Sequence, residues 1–207
     1  MPCGKAGERN MGVNLVPETL SALPVGVAIN ATTGALDPAS GQYSKRLSEL
    51  REIYHDKAAF DRAVTERGDP IAYRVVEYRP PNSDVTFGTT TMYPGDIGGE
   101  CYMTRGHFHV RRDMGEVYYT QSGEGILLLE SRDGETQIVA MKPGVCAYIP
   151  PDWGHRSINT GSDPLVFVWV CNPLAGHEYG DIVKRGMRKL VMRGDKGPNV
   201  VDNAAYA

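Results

Sequence analysis

The sequence is poor in cysteine and in positive charge, and it contains no long apolar run. Its four cysteines show no CxxC spacing and are too few for the disulfide framework of a small secreted domain. Acidic residues outnumber basic ones, 25 to 22, so the chain has no basic field for nucleic acid. No apolar run approaches the roughly 20 residues that cross a bilayer. These absences predict a soluble cytoplasmic protein with reduced thiols and without nucleic-acid or membrane partners.

Two sequence signatures are also missing. The first ten residues are followed by short stretches broken by Pro17, Pro24 and Gly26, so the apolar segment of a secretory signal is not found. No GxGxxG motif joins a predicted strand to a predicted helix, so a dinucleotide-binding domain is not expected.

Composition divides the chain into an N-terminal arm and one domain. Residues 1–44 are rich in Gly, Pro, Ala, Thr and Ser without sustained periodicity, which predicts an irregular arm. Residues 45–207 are long enough for one well-buried core. This domain opens with LSELREIYHDKAAFDRAVTERGD, whose apolar residues are spaced among charges. We therefore expect one or two amphipathic helices that end near Gly68.

From Ile71 onward the sequence is typical of β-structure. Seven short segments are rich in Val, Ile, Tyr, Thr and Phe and are separated by turn residues: IAYRVVEYR, VTFGTTTMY, EVYYTQ, GILLLES, TQIVAM, VCAYI and PLVFVWVC. Their spacing of roughly ten residues predicts an antiparallel sandwich or barrel. The tail KLVMRGDKGPNVV predicts a last hairpin about Gly194 to Gly197.

Histidine and glutamate supply the candidate chemistry. His107 and His109 would lie on one face of a strand, because side chains at i and i+2 point the same way. Glu116 opens the next predicted strand, and His155 follows the turn after Pro151. An isolated HxH pair also fits a solvent-exposed strand. Three imidazoles and one carboxylate, however, are a ligand set that suits Fe, Mn, Ni or Zn.

The spacing of these residues resembles the two motifs of the cupin superfamily. The first is HxH, six residues, Glu116, six residues, Gly123; the second runs from Gly144 through Pro150 to His155 and Asn159. Within cupins, the stretches TTTMYPGDIGGE, TRGHFH, GEVYYTQSGEGILLL, KPGVCAYIPPDWGHRSINTG and AGHEYGDI resemble the cupin-type phosphoglucose isomerases. The segment that carries this resemblance runs from Thr89 to Gly180 and covers nearly half of the chain, and AGHEYG is not part of the general cupin pattern.

This resemblance implies an all-β cupin jelly-roll barrel that forms a homodimer. It also implies a glycolytic and gluconeogenic enzyme that interconverts glucose 6-phosphate and fructose 6-phosphate with one divalent metal per subunit. The implied metal ligands are His107, His109, Glu116 and His155, and the implied catalytic residues are Glu116 and His177. The implied substrate-binding residues are Tyr73, Thr90, Thr104, Gly106, Tyr118 and Tyr179.

The chain departs from that family at three positions. It has Cys171 where a tyrosine is common, Asp152 where another aromatic residue is common, and Trp169 where a small residue is common. Trp169 and Cys171 would share a strand face, so a large and a small side chain would have exchanged volume in the pocket wall. The departures bear on substrate fit rather than on the metal site.

Several alternatives remain at the level of sequence. An aldose–ketose conversion needs either a proton transfer by Glu116 or a hydride shift between C2 and C1, and the residues favour neither. Arg105, Arg111, Arg112 and Arg156 would lie near the mouth and attract a sugar phosphate, or simply form a solvated turn. Another sugar-phosphate isomerase or epimerase, a non-catalytic sugar-binding cupin and a cupin oxygenase would use the same ligands.

Overall fold

The computed structural model describes residues 24–206, and most of their regular structure is β-strand. The strands are β1 (Ala28–Ile29), β2 (Leu36–Asp37), β3 (Gly41–Arg46), β4 (Ile71–Tyr78), β5 (Thr86–Met92), β6 (Asp96–Ile97), β7 (Glu100–Cys101), β8 (Glu116–Ser122), β9 (Gly125–Ser131), β10 (Thr136–Met141), β11 (Cys146–Ile149), β12 (Trp153–Asn159), β13 (Leu165–Cys171), β14 (Lys189–Met192) and β15 (Asn199–Asp202). The helices are a 3₁₀ helix (Leu47–Ile53), α1 (Lys57–Arg67) and α2 (Gly180–Arg185).

All of the pairing between these strands is antiparallel. The larger sheet has six strands in the order β11-β8-β13-β5-β4-β3, and a three-stranded sheet has the order β10-β9-β12. The remaining strands form a four-stranded sheet, β15-β14-β7-β6, and the β1-β2 pair. The predicted all-β antiparallel fold is confirmed, as are the seven predicted strands and the C-terminal hairpin. Within residues 24–206 the six- and three-stranded sheets share no backbone ladder, so no closed barrel is formed.

The core lies between the two main sheets. Along β8 the buried side chains are those of Glu116, Tyr118 and Thr120, so the predicted shared face of that strand is confirmed. Facing them, β9 is buried along most of its length, including Leu127 and Leu129. Because side chains alternate between the two faces of a strand, the polar side chains on the buried face of β8 and the apolar ones of β9 meet in one interior. The candidate site lies there.

The outer face of the three-stranded sheet is covered by the C-terminal segments. Glu130 on β9 is 1% exposed, and its carboxylate accepts hydrogen bonds from the Arg185 side chain at 2.7 Å, the Tyr206 hydroxyl at 2.7 Å and the Arg188 amide at 2.6 Å. Several donors on one carboxylate offset the cost of burying it. These hydrogen bonds hold α2 and Tyr206 against the three-stranded sheet.

The helical segment was predicted, and its ends have local causes. The Asp56 side chain accepts the amide hydrogen of Ala59 at 2.8 Å and so caps α1, a contact of about 1 kcal/mol. Gly68 ends α1 with a φ of 70°, a conformation that glycine adopts without strain. None of the helices in the described part of the chain has the length and apolarity that a membrane crossing requires.

The N-terminal arm contains more structure than its composition predicted. β1 and β2 pair, and the threonines of β5 hold the turn between them: Thr91 donates to the Thr33 carbonyl at 2.9 Å and Thr89 to the Gly34 carbonyl. The sheet also begins at β3, ahead of the expected boundary at residue 44. Residues 1–23 lie outside the described part, and the division into arm and domain stays a prediction.

Two further differences concern the site. The HxH segment is not a regular strand; it makes isolated bridges, His107 with His155 and Phe108 with Glu178. The helix α2 was not predicted, because only six residues separate Tyr179 from Gly186 and they carry no apolar periodicity. Of the four cysteines, Cys101, Cys146 and Cys171 are free thiols, and Cys3 lies outside the described residues.

Candidate metal centre and active site

Four of the predicted residues converge between the two main sheets. His107, His109, Glu116 and His155 each offer one donor atom, and these atoms all lie within 4.8 Å of one another. The carboxylate Oε2 of Glu116 is 3.3 Å from Nε2 of His109 and 3.1 Å from Nε2 of His155. Such a set of neutral nitrogen donors around one carboxylate has the composition of a divalent-metal site.

Backbone pairing brings the histidines together. The amide of His107 donates to the His155 carbonyl at 3.1 Å, and the amide of His155 donates back at 3.0 Å. Gly106 precedes this pair with a φ of 73°, and a Cβ there would lie 3.1 Å from the Arg156 side chain. Glycine is therefore required for the chain to turn into the site at this point.

Contacts on the far side of two imidazoles orient them. The Nδ1 atom of His109 lies 2.9 Å from the Met114 carbonyl, and that of His155 lies 3.3 Å from the Trp153 carbonyl. A carbonyl only accepts, so each Nδ1 carries a proton and each Nε2 is left facing the cluster, where it would offer a lone pair to a metal ion. The tautomers that a metal ligand needs are thus fixed by the backbone.

Two of the donor atoms that face the cluster lack hydrogen-bond partners, whereas Nε2 of His109 is hydrogen-bonded to Glu116. Nε2 of His107 and of His155 are buried without a hydrogen-bond partner. The 3.1 Å approach of His155 to Glu116 is a charge contact whose angle does not make it a hydrogen bond. Buried polar atoms without partners are costly, and a cation bound among them would remove that cost. The residues present therefore fit a divalent ion.

Electrostatics favour the metal-binding forms of Glu116 and His107, whereas for His109 burial lowers the pKa but the hydrogen bond to Glu116 raises it. Burial raises the pKa of Glu116, but the contacts from His109 and His155 outweigh it and lower that pKa to about 2. Burial, and then the neighbouring His155, His177 and His109, hold the pKa of His107 well below its usual range. An ionised carboxylate and a neutral imidazole are the forms in which these groups bind metal.

The cluster opens into a cavity of about 200 Å³. Its walls include every residue predicted for substrate or metal: Tyr73, Thr90, Thr104, Gly106, His107, His109, Glu116, Tyr118, His155, His177 and Tyr179. The segment that carries His177 is fixed by reciprocal backbone bonds between Phe108 and Glu178, at 2.9 and 2.8 Å. As a result the His177 ring lies 4.2 Å from that of His107, centroid to centroid, and stacks on Tyr179.

Of the four arginines expected near the mouth of the cavity, only Arg105 lines it. Its guanidinium lies 5.4 Å from the centre of the Tyr179 ring. Arg111 pairs with Asp113 on the surface, and Arg112 pairs with Asp152. Arg156 is 2% exposed on the outer face of β12, so it does not reach the mouth.

Trp169 and Cys171, which were expected in the pocket wall, both line the cavity. Several other cavity residues were not expected from the sequence, among them Tyr43, Glu77 and Arg79. Glu77 and Arg79 have the same parity as Tyr73, so the period of two along that segment was the signal that would have found them. Tyr43 lay in the arm, where no strand was expected.

An antiparallel double sheet that encloses three histidines and one glutamate defines a cupin with a candidate divalent-metal site. Comparison with known proteins narrows this class. The family model for glucose-6-phosphate isomerase matches residues 44–206. This chain therefore belongs to the glucose-6-phosphate isomerase family.

Named relatives agree with the family model. The glucose-6-phosphate isomerase of Thermococcus kodakarensis is 38% identical over 185 residues, covering 88% of this chain and 96% of the relative. That of Sinorhizobium medicae is 41% identical over 187 residues, covering 88% and 87%. Among solved structures, oxalate oxidase in complex with glycolate superposes with a TM-score of 0.45 at 16% identity, over 54% of this chain and 56% of that one. A likeness at that level says nothing about function.

Proposed function

We propose that this chain is a metal-dependent isomerase that interconverts glucose 6-phosphate and fructose 6-phosphate. The observation that carries the proposal is the convergence of three imidazole nitrogens and one carboxylate beside a sugar-sized cavity, in a chain of the glucose-6-phosphate isomerase family. The substrate would be a sugar phosphate. We further propose that the protein is cytoplasmic. We also propose a homodimer, because closed two-fold pairs are the commonest oligomers of soluble proteins.

The proposed metal ligands are His107, His109, Glu116 and His155. Their support is the set of Nε2 lone pairs that point into the cluster and the two backbone carbonyls that fix them. When bound, a divalent ion would polarise the substrate carbonyl and stabilise negative charge on O1 and O2. Fe, Mn, Ni and Zn all accept this donor set, so metal exchange has to identify the ion.

The proposed phosphate site is the end of the cavity at Thr104 and Gly106, with Thr90 and Tyr179 beside it. The Thr104 hydroxyl oxygen accepts the Ser157 amide hydrogen at 3.1 Å, so its own proton is available for a phosphate oxygen. Glycine at position 106 lets an anion approach the backbone closely. Arg105, over the Tyr179 ring, adds the positive charge that a dianion requires.

The proposed sugar contacts are Tyr73, Tyr118 and His177. Burial raises the pKa of both phenols, so Tyr73 and Tyr118 remain neutral hydrogen-bond donors at physiological pH. His177 lies over the cluster, next to His107, where it would contact the oxygens of the reacting carbons. We propose it as the second catalytic residue, which exchanges protons with those oxygens.

Glu116 is proposed to move the hydrogen between C1 and C2. In the forward direction its carboxylate takes the C2 proton of the open-chain aldose as the electron pair shifts toward O1, and it then returns the proton to C1. A hydride shift would instead move the hydrogen with its electron pair and leave Glu116 out. With deuterium at C2 of glucose 6-phosphate, proton transfer predicts loss of label to solvent during turnover. Complete retention of the label would remove Glu116 as the base.

A metal-exchange assay tests the function itself. The purified chain is stripped with a chelator, reloaded with each divalent ion in turn, and assayed with fructose 6-phosphate and with mannose 6-phosphate. We expect stripping to abolish activity, at least one ion to restore it, and fructose 6-phosphate to be the faster substrate. A metal-loaded protein that converts neither sugar would contradict the proposal and favour a sugar-binding cupin.

A matched histidine pair provides the control for that assay. His109→Ala removes one proposed ligand, whereas His55→Ala removes an exposed histidine outside the cluster. We expect the first variant to lose bound metal and activity together, and the second to retain both. Equal metal content in the two variants would contradict the ligand assignment.

A further inference from the structure

Trp169 forms a wall of the cavity that the reaction proposed above does not use. On β13 the side chains of Phe167, Trp169 and Cys171 point to the interior, since residues two apart share a face. Strand pairing places Trp169 between Tyr118 on β8 and Gly88 on β5. It is the largest side chain along this inner face and is partly exposed to the cavity.

The indole occupies the space above a bare stretch of backbone. A Cβ on Gly88 would overlap the Val76 carbonyl oxygen of β4 as well as Cζ2 and Cε2 of Trp169, so the ring lies across β5 at the one position where that strand carries no side chain. Thr86 and Thr90, the neighbours on the same face of β5, flank the ring and also line the cavity. The wall here is therefore a flat aromatic surface seated on β5.

The neighbouring position has the opposite character. Cys171 is small, and its register partner on β8 is Glu116, a member of the metal-type cluster. The cavity wall therefore has a small side chain, Cys171, beside the cluster and a large one, Trp169, two residues away on the same strand. Glu116, Thr104 and Trp169 line the same cavity, so a sugar with its reacting carbons at Glu116 and its phosphate at Thr104 shares that cavity with the indole.

We propose that Trp169 is a specificity-determining residue, whose indole over Gly88 limits the cavity to phosphosugars of six carbons. This inference rests on the proposed function for the placement of the substrate. Trimming the ring opens the space above Gly88, into which an additional hydroxymethylene group of a longer chain fits. A pocket contact of this kind discriminates by roughly 10- to 200-fold for each added carbon.

The test compares fructose 6-phosphate with sedoheptulose 7-phosphate in the metal-loaded chain and in its Trp169→Ala and Trp169→Phe variants. We expect the ratio of kcat/KM for the seven-carbon over the six-carbon sugar to rise at least about tenfold in Trp169→Ala, with Trp169→Phe in between. Val170→Ala is the matched control, because Val170 is the next residue on the same strand and faces outward. A ratio that stays unchanged in folded Trp169→Ala would overturn the proposal.

A binding measurement separates this inference from the proposed function. Trp153 and Trp169 are the two tryptophans of the sequence, so Trp153→Phe reports on Trp169 alone. Fructose 6-phosphate should change the fluorescence of Trp153→Phe and leave that of Trp169→Phe unchanged; no change in Trp153→Phe would contradict a substrate-facing indole. If the wild-type chain binds both sugars but isomerises neither, the proposed function fails. In that case the size limit is tested by binding alone, from the dissociation constants of the two sugars in the wild-type chain and in Trp169→Ala.

Discussion

At the scale of single residues, the chemistry depends on backbone atoms that hold side chains in one state. The Met114 and Trp153 carbonyls fix which nitrogen of His109 and His155 faces the cluster. The ligand set could be predicted from the HxH spacing, because the sequence gives the residue types and the strand face of each. The tautomers could not be predicted, because they depend on carbonyls that come near the imidazoles only in the folded chain.

Glu116 and Glu77 offer a direct comparison of two carboxylates in one cavity. Glu116→Gln removes the carboxylate that both imidazoles contact, so bound metal should fall and kcat/KM should drop by at least about 100-fold, beyond the loss typical of groups that only support a ligand. Glu77→Gln, on the same wall but outside the cluster, should keep its metal. Metal content and steady-state rates measure both. A metal-free Glu77→Gln with a fully loaded Glu116→Gln would reverse the assignment.

Thr104 is the residue that tests the phosphate end. Thr104→Val keeps the shape but removes the hydroxyl, which also leaves the Ser157 amide without its acceptor. We expect KM for fructose 6-phosphate to rise about tenfold with a smaller change in kcat, since one charge-assisted hydrogen bond contributes about 1.5–3 kcal/mol. Thr104→Ser should restore most of the affinity. An unchanged KM in the valine variant would place the phosphate elsewhere.

At the scale of elements, a chain of charges joins three segments around the site. Arg132, just after β9, donates to Asp152 at 2.7 Å and to Asp181 of α2 at 3.1 Å, and its guanidinium lies 4.3 Å from the centre of the Phe108 ring. Phe108 in turn pairs with Glu178, between His177 and Tyr179. The strands were predictable from their alternation; this connection was not, because its charges are distant in sequence and α2 carries no helical periodicity.

Arg132→Met should loosen the segment that carries His177 and Tyr179. We expect KM for the sugar phosphate to rise more than kcat falls, and the free energy of unfolding to decrease by about 1 kcal/mol, as befits partly exposed ion pairs. Arg112→Met is the control, since Arg112 is exposed and contacts Asp152 alone within this network. If the two variants gave the same KM, the position of α2 would not depend on Arg132.

At the scale of the whole molecule, the folded state buries ionisable groups that burial itself disfavours. Glu100 on β7 is 2% exposed; one oxygen accepts the His55 amide hydrogen at 2.9 Å, and the other has no hydrogen-bond partner. Burial raises its pKa above the ordinary 4.5, and the opposing charges of Arg156, His55 and Lys57 are too weak to reverse this. The sequence did not predict that Glu100 is buried, because a glutamate in a region of short strands is expected to be exposed.

The raised pKa of Glu100 sets a sign for the pH dependence of stability. The folded state holds the proton more tightly than the unfolded state, so the stabilising contribution is complete below pH 4.5 and is lost as pH rises through the folded pKa. Glu100→Gln stays neutral at every pH. The variant should therefore gain stability relative to the wild type between acid and neutral pH, as measured by denaturant unfolding of the metal-free chains. A difference that is constant with pH, or that changes in the other direction, would contradict a destabilised carboxylate.

We propose that three imidazoles and one carboxylate hold a divalent cation in the cavity between the sheets. Anomalous X-ray diffraction from crystals of the metal-loaded chain, collected on both sides of the absorption edge of that metal, locates the ion. We expect one strong anomalous peak per chain, within bonding distance of Nε2 of His107, His109 and His155 and of the Glu116 carboxylate. A loaded, active protein whose anomalous peak lies away from these four residues would contradict it.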